Sequence, residues 1–371
     1  MERQDVPFND IGFQWSEIEE EVMPDLLTLF RQGAFCLGPQ VEKFEKEFAD
    51  YIGVRHAIGV NSGTSALHLA LIVAGVGPGD KVLLPAMTFV ATAWAVLYVG
   101  AIPVLCDVED ETGNIDIKDA EKKIDSNVKA IIPVHLYGQP ANMTAVQDLA
   151  KRHDLIVIED AAQAHGAYYD QRRVGSFGMM GCFSFYPGKN LGAAGEAGMI
   201  VTNDSHLVER LCALRQHAQK QKYLHEEIGY NYRMEGIQGL ILSHKLARLD
   251  HWTDQRKKIA QQYTAAFADL PLKLPLIKNN DHVYHLYVIR TPQRDALQKW
   301  LNQKGIVTGL HYPVPLHHQP CLKNFSMDRQ SFPISDVYAT EGISLPLFYG
   351  MTSQQVQKVI KAVREFFNDY V

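Results

Sequence analysis

The 371-residue sequence predicts an α/β protein: a three-layer, mainly parallel sheet followed by a smaller C-terminal α+β domain. Three observations carry this. In the first two thirds, apolar runs of four to six residues alternate with helical patterns, as parallel strands covered on both faces do. After about Asp250 the texture changes to polar, amphipathic stretches. At about 150 residues per domain the length suits two domains, with a core that needs no disulfide or metal staples. The expected division is a large domain over residues 1–250, including an N-terminal arm, and a small domain over residues 251–371.

Taken in order, AIGV (57–60) reads as a strand running into the helical SALHLALIVAGV. VLLP (82–85) is a short strand stopped by proline, residues 88–99 form an apolar helix ended by Gly100, and AIPVLCDV restarts a strand. No charge occurs between Lys81 and Asp107, a length that invites a membrane span of about 20 residues. Pro85, Gly100 and Pro103 interrupt it, so a buried strand–helix–strand unit is the better reading. AIIPVH (130–135) precedes a helix from about Asn142 to His153. LIVIED (155–160) is a buried strand, and CFSFY and GMIVTND supply two more. The helix HWTDQRKKIAQQYTAAF opens the second region, where LYVIR, DALQKWLNQKGI and TGLHYPVPLHHQ suggest mixed α and β structure.

Composition narrows the function. Hydrophobic residues at 46% and charged residues at 21% suit a globular chain and argue against disorder. A net charge of −6 leaves no bulk attraction for nucleic acid or an anionic membrane, so an anionic substrate needs a local site. Cys36, Cys106, Cys182, Cys212 and Cys321 are odd in number and form no CxxC pair, which suits reduced thiols in a cytoplasmic protein. The charged MERQDVPFND start has no apolar run behind it, so a signal peptide is not expected.

Ligands of open α/β sheets gather at the carboxyl ends of strands. AIGV ends in Asn61-Ser62-Gly63-Thr64-Ser65 at a helix start, which offers N–H groups and a dipole to a phosphate; taken alone, ordinary Ser or Thr capping is the simpler account. LIVIED ends in Glu159-Asp160, where an acid is either a helix cap or a functional carboxylate. Ser184 alternates with Phe183 and Phe185, so it faces away from both rings, and Lys189 follows in a glycine-rich turn. P-loop, dinucleotide and GxSxG signatures are missing. His282/His285 and His311/His317/His318 have no accompanying acid cluster, so no metal is expected. A phosphate cup, an acid and a strand-end lysine together meet the needs of pyridoxal phosphate: an imine with the aldehyde, and a carboxylate for the pyridinium nitrogen.

NSGTSALHLAL, PAMTFVAT, HLYGQPANM, IEDAAQAHGA, CFSFYPGKNLGAAGEAGMIVTND, GYNYRMEGIQGLIL and HYPVPLHHQ, in this order, closely resemble the DegT-type (DegT/DnrJ/StrS) nucleotide-sugar aminotransferases, fold-type I pyridoxal phosphate enzymes. The resemblance implies that Lys189 is the Schiff-base lysine and proton carrier, that Asp160 binds the pyridinium nitrogen, and that Gln163 contacts the ring's phenolic oxygen. It implies that Gly63, Thr64 and Ser184 hold the phosphate, that Phe89 stacks on the ring or is a core phenylalanine, and that Asn231 reaches the phosphate of a neighbouring subunit. His165 is expected beside the cofactor. Lys189 argues against the dehydratase branch, which carries histidine there. KQKYLHEEIGYNYR and HYPVPLHHQ look more like enzymes that aminate 3-keto sugars than 4-keto sugars, with Tyr223, His225, His311 and Tyr312 near the sugar. Ala197 stands where relatives often have glycine. The implied protein is a cytoplasmic homodimer with shared active sites. It moves an amino group from glutamate, through the pyridoxamine phosphate form, to a nucleoside-diphosphate keto sugar, making an amino sugar for a polysaccharide or a glycosylated metabolite. A cyclic polyol ketone as acceptor and a catalytically silent regulatory homologue are the alternatives.

Overall fold

A computed structural model describes residues 6–276, 281–323 and 331–370. Three helices, α1 (Ile11–Ser16), α2 (Glu19–Gln32) and α3 (Pro39–Ile52), come first. Strands and helices then alternate as β1 (His56–Val60), α4 (Gly63–Val73), β2 (Lys81–Pro85), α5 (Ala91–Tyr98), β3 (Ile102–Cys106), α6 (Ile117–Lys122), β4 (Val128–Ile131), α7 (Met143–His153) and β5 (Ile156–Asp160). A small ribbon, β6 (Tyr168–Tyr169) and β7 (Arg172–Arg173), leads to β8 (Met180–Ser184) and β9 (Gly198–Thr202). After α8 (Ser205–Leu214) comes a hairpin, β10 (Gln219–Gln221) and β11 (Leu224–His225), and then α9 (Gly236–Leu246) and α10 (Leu249–Phe267). The remainder is β12 (Tyr287–Arg290), α11 (Arg294–Gln303), α12 (Pro333–Glu341), β13 (Gly342–Leu345) and α13 (Ser353–Tyr370).

Seven strands form one sheet in the order β1-β9-β8-β5-β4-β2-β3. The pairs β2–β3, β2–β4, β4–β5 and β5–β8 are parallel, while β9 is antiparallel to both β1 and β8. The reversal at β9 follows from its connection: the chain returns from β8 through a glycine-rich loop rather than a crossover helix. Alternation along each strand serves two cores. Val82 and Leu84 pack with Ala66, Leu69 and Val96 on one face, whereas Leu83 packs with Val146 and Leu149 on the other. Likewise Met180 and Cys182 face α4, while Phe183 joins Phe44 and Phe48 of α3. Helices on both faces give the expected three layers.

The apolar helix expected from residue 88 begins at Ala91; Thr88 lies ahead of it with its hydroxyl 3.0 Å from that of Thr92. α10 runs from one core to another: Leu249 packs with Phe44 and Leu242, whereas Ile259, Tyr263 and Phe267 pack with Tyr287, Leu297, Ile343 and Val359. Val6 also enters this second core and bridges Ile306. Among the described residues no helix is long and apolar enough to cross a membrane.

Candidate active site

The parallel strands end on one edge of the sheet, and pairing brings their last residues together. Asp160 is level with Cys182, and Ser184 pairs with Gly198, which also pairs with Val60 at the end of β1. Close approach here depends on glycine: a Cβ on Gly198 would lie 2.3 Å from the Ser62 carbonyl oxygen, and one on Gly63 2.7 Å from Ser184 Cβ. A cavity of about 710 Å³ opens at this edge. It gathers Gly63, Thr64 and Ser184, then Asp160 and Gln163 after β5, Phe89 before α5, and Lys189 after β8. His311 and Tyr312 join them from the segment between α11 and α12.

The two neighbouring acids have separate fates. Glu159, fully buried, accepts from the N–H groups of Gly175 (2.7 Å), Phe177 (2.6 Å) and Gly178 (2.7 Å), and pairs with His135 Nε2 at 3.0 Å. It is consumed by structure. Asp160 lines the cavity instead. Its Oδ2 accepts from Thr92 Oγ1 at 2.8 Å and its Oδ1 from the Ala162 N–H at 3.2 Å. Burial pushes this carboxyl above the usual carboxylate range; the Thr92 hydrogen bond, the Ala162 N–H and the Lys189 charge oppose the rise. Lys189 is half-buried, and burial lowers its amine to about 8 against the pull of Asp160. The two residues line one cavity, and burial shifts the amine toward the neutral form that nucleophilic amine chemistry needs.

Gln163 is held at both ends: Oε1 accepts the Tyr137 N–H at 2.7 Å and Nε2 donates to Tyr312 Oη at 3.1 Å. Tyr137 Oη in turn donates to the His311 carbonyl. The His311 ring pairs with Ser344 Oγ at 2.8 Å and stacks on Phe8, and burial lowers it to about 4, so it is neutral. Phe89 is 51% exposed with its ring 5.7 Å from that of Tyr312, which removes the core reading for it. At the start of α4, Ser62 Oγ caps the Ser65 N–H at 3.1 Å. The N–H groups of Gly63 and Thr64 then point out of the helix start, as first-turn donors do.

Other expectations fall elsewhere. Asn231 does not line the cavity of its own chain; its carbonyl accepts from Asn61 Nδ2 at 3.3 Å and its side chain from Arg233 at 2.7 Å. Tyr223, 82% exposed, and His225 lie on the β10–β11 hairpin, away from the cavity lining. His165 is not part of the cavity lining: it is fully buried between Phe183 and Phe185, at 5.6 and 5.5 Å, behind the wall that Ser184 and Lys189 form, and burial lowers it to about 3. Ala197 is fully buried and hands its carbonyl to the Phe185 N–H at 2.8 Å, a role that any residue fills. The acid missing from the sequence around His317 and His318 comes from α12: Asp336 Oδ1 lies 2.8 and 3.0 Å from their Nε2 atoms. Those hydrogen bonds account for the cluster, which lies outside the cavity lining. Sequence reasoning missed Thr92, Tyr137, His285 and the N-terminal Phe8 and Asn9, all but Tyr137 part of the cavity wall. Thr88 and Thr92 at helical spacing after a strand end were the available signal for Thr92; the N-terminal residues had none.

A family model described as the DegT/DnrJ/EryC1/StrS aminotransferase family matches residues 16–364. The chain is 43% identical to a Geobacillus stearothermophilus protein named "Pleiotropic regulatory protein", over 98% of this chain and 99% of that one. It is 42% identical to a Streptomyces venezuelae dTDP-3-amino-3,4,6-trideoxy-alpha-D-glucose transaminase, over 97% and 96% of the two chains. The crystal structure of S. venezuelae DesV in complex with a ketimine intermediate superposes with a TM-score of 0.96 at 42% identity, covering 99% of each chain.

Proposed function

The chain belongs to the DegT/DnrJ/EryC1/StrS aminotransferase family, and from that premise we propose how its cavity carries out transamination. The enzyme is a pyridoxal phosphate-dependent transaminase acting on a nucleotide-linked keto sugar. We propose further that the amino donor is glutamate, that the acceptor carbonyl is at C3 of a 6-deoxyhexose, and that two chains share each active site in the cytoplasm. The Streptomyces relative's 3-amino product supports the C3 position. Five free thiols support a reducing compartment. Exposed Tyr223, Leu224 and Ile228 support a covering second chain, which would also give Asn231, Tyr223 and His225 a cavity to reach.

The residues present fit the cofactor. The cradle between Gly63 and Ser184, which a single Cβ would close, stands beside free helix-start donors and suits a phosphate. Asp160 suits the pyridinium nitrogen, Gln163 the ring's oxygen, Phe89 a ring face and Lys189 the aldehyde. When bound, pyridoxal phosphate supplies an electron sink and a carrier for the amino group. The chain's part is to hold and to move protons. Thr92 and Ala162 donate to Asp160 and oppose the rise that burial imposes on its carboxyl. Tyr137 and Tyr312 fix the plane of Gln163. Lys189, with its amine near 8, takes and returns a proton at Nζ without a large energetic step near neutral pH. His311, neutral and fixed by Ser344, and Tyr312 border the space left for the sugar.

The observation that carries this reading is the convergence of Lys189 and Asp160 in one cavity with the Gly63–Ser184 cradle. The test is spectroscopic. Purified protein supplied with pyridoxal phosphate should show a visible absorbance band that glutamate bleaches and a 3-keto nucleotide sugar restores. A panel of 3-keto sugars, 4-keto sugars and inososes assigns the acceptor. The name of the Geobacillus relative keeps a regulatory reading in view; a band that does not respond to any amino donor would favour it.

A further inference from the structure

The turn that carries Lys189 is gripped by side chains that line no part of the 710 Å³ cavity. Lys245, on α9, is 4% exposed; its Nζ donates to the Gly192 carbonyl at 2.7 Å and lies 3.4 Å from Gln14 Oε1. Gln14, on α1, donates from Nε2 to the Asn190 carbonyl at 3.2 Å. Asn190, 1% exposed, donates from Nδ2 to the Val283 carbonyl at 2.9 Å, ahead of β12. Three distant segments thus converge on residues 190 and 192, just past the lysine. The turn is closed on its inner side: a Cβ on Gly192 would lie 2.3 Å from the Pro187 carbonyl oxygen, and the Lys189 N–H bonds the Tyr186 carbonyl at 2.8 Å.

The choice of lysine at 245 is costly. A buried ammonium loses several kcal/mol of hydration, and here its hydrogen bonds go to a carbonyl and an amide oxygen rather than to a carboxylate. An apolar side chain of similar length would pack in the same place without that cost. What it would lose is the link between α9, α1 and the Lys189 turn.

We propose that Lys245, together with Gln14, is a positioning residue that fixes the Gly188–Gly192 turn so that the Lys189 amine meets the cofactor's aldehyde. The proposal rests on the reading that Lys189 bonds pyridoxal phosphate. Lys245 touches neither cofactor nor substrate, so its whole effect should pass through Lys189.

A double-mutant cycle tests this. The dissociation constant for pyridoxal phosphate is measured by absorbance in wild type, Lys245→Met, Lys189→Ala and the double variant, each checked for its thermal midpoint. Lys245→Met should weaken retention about tenfold when Lys189 is present and less than about twofold in the Lys189→Ala background, a coupling within the range seen for residues sharing one network. The pH midpoint of the visible band should also move in Lys245→Met. Equal weakening in both backgrounds would mean a general pocket defect and overturn the proposal, as would no weakening in either. Gln14→Leu removes the grip on the Asn190 carbonyl from a short peripheral helix; it should repeat the pattern at about threefold, and it carries the test if Lys245→Met fails to fold. Wild-type protein that binds no pyridoxal phosphate would overturn the underlying reading together with this one, whereas a flat cycle on a working enzyme overturns the positioning role alone.

Discussion

Replacing Thr92 by valine should make the apo-protein's stability more strongly dependent on pH, through Asp160. Valine keeps the shape of threonine and removes only the donor. The lost bond is Thr92 Oγ1 to Asp160 Oδ2, 2.8 Å, with Thr92 fully buried and Asp160 at 6% exposure. A hydrogen bond to a charged group contributes about 1.5–3 kcal/mol, and one pKa unit corresponds to about 1.4 kcal/mol. The folded-state value of Asp160, already raised by burial, should therefore rise further.

The sign follows from proton linkage. A carboxyl whose folded value is raised holds its proton more tightly in the folded chain than in the unfolded one. Its contribution is fully present below the unfolded value of about 3.9 and is lost as pH rises through the folded value. Thr92→Val enlarges that loss. Urea unfolding of apo-protein should show the variant less stable than wild type by up to about 3 kcal/mol at pH 8, with the gap narrower at about pH 4, near the unfolded value. A residue of that gap is independent of pH, since Thr88 also loses its 3.0 Å partner. Thr92→Ser, which restores the hydroxyl, should recover the pH-dependent part. A gap of equal size at both pH values would refute the claim that Thr92 supports the ionised form of Asp160.

Three further outcomes are expected. Lys189→Ala should abolish turnover in a coupled transaminase assay while still binding some cofactor; near-normal rates would remove the lysine from the chemistry. Gly63→Ala puts a Cβ 2.7 Å from Ser184 Cβ; at about 1–3 kcal/mol for overpacking, pyridoxal phosphate should bind at least about fivefold more weakly and inorganic phosphate should lose its ability to compete, and unchanged binding would move the phosphate elsewhere. In the apo-protein, cofactor capture should accelerate as pH rises through about 8, where burial has lowered the Lys189 amine. Stability should also rise between about 8 and the ordinary lysine value, because the unfolded chain holds more protons there. Lys245, lowered to about 8 by the same cause, contributes a second part of that rise, so Lys189→Ala should remove only a portion of it and all of the capture profile.

The residues legible in the sequence share one property: their chemistry follows from local rules. Asp160 closes a buried apolar run, Ser184 alternates with two phenylalanines, and Gly63-Thr64 follows a strand directly, so each lands at the carboxyl edge once the sheet is granted. Thr92 and Tyr137 serve partners 68 and 26 residues away, and Gln14 reaches the Lys189 turn across 176 residues. No periodicity carries such information. His165 marks the limit from the other side. Five residues beyond Asp160, it packs between Phe183 and Phe185, behind the cavity wall rather than in it, and its spacing from Asp160 does not reveal that. The direction of β9 was equally hidden, because a buried run of GMIVT reads the same whichever way it is paired.

What distinguishes the carboxyl edge of this sheet is where the fold departs from the rules of a good core. A carboxyl raised by burial and two amines lowered by it lie at Asp160, Lys189 and Lys245, around the ends of β5 and β8. By contrast Glu159, next to Asp160, has four donors, and Arg215 Nη1 reaches Glu45 and the Gly59 carbonyl. Local inconsistency of this kind persists in a stable domain when the site gains by it. On that argument the two buried lysines are not equivalent accidents. Lys189 faces the cavity and is titrated by it, whereas Lys245 faces the backbone that carries Lys189. An amine and its support thus stand one behind the other, with α9 supplying Lys245 and α1 supplying Gln14 to the turn that carries Lys189.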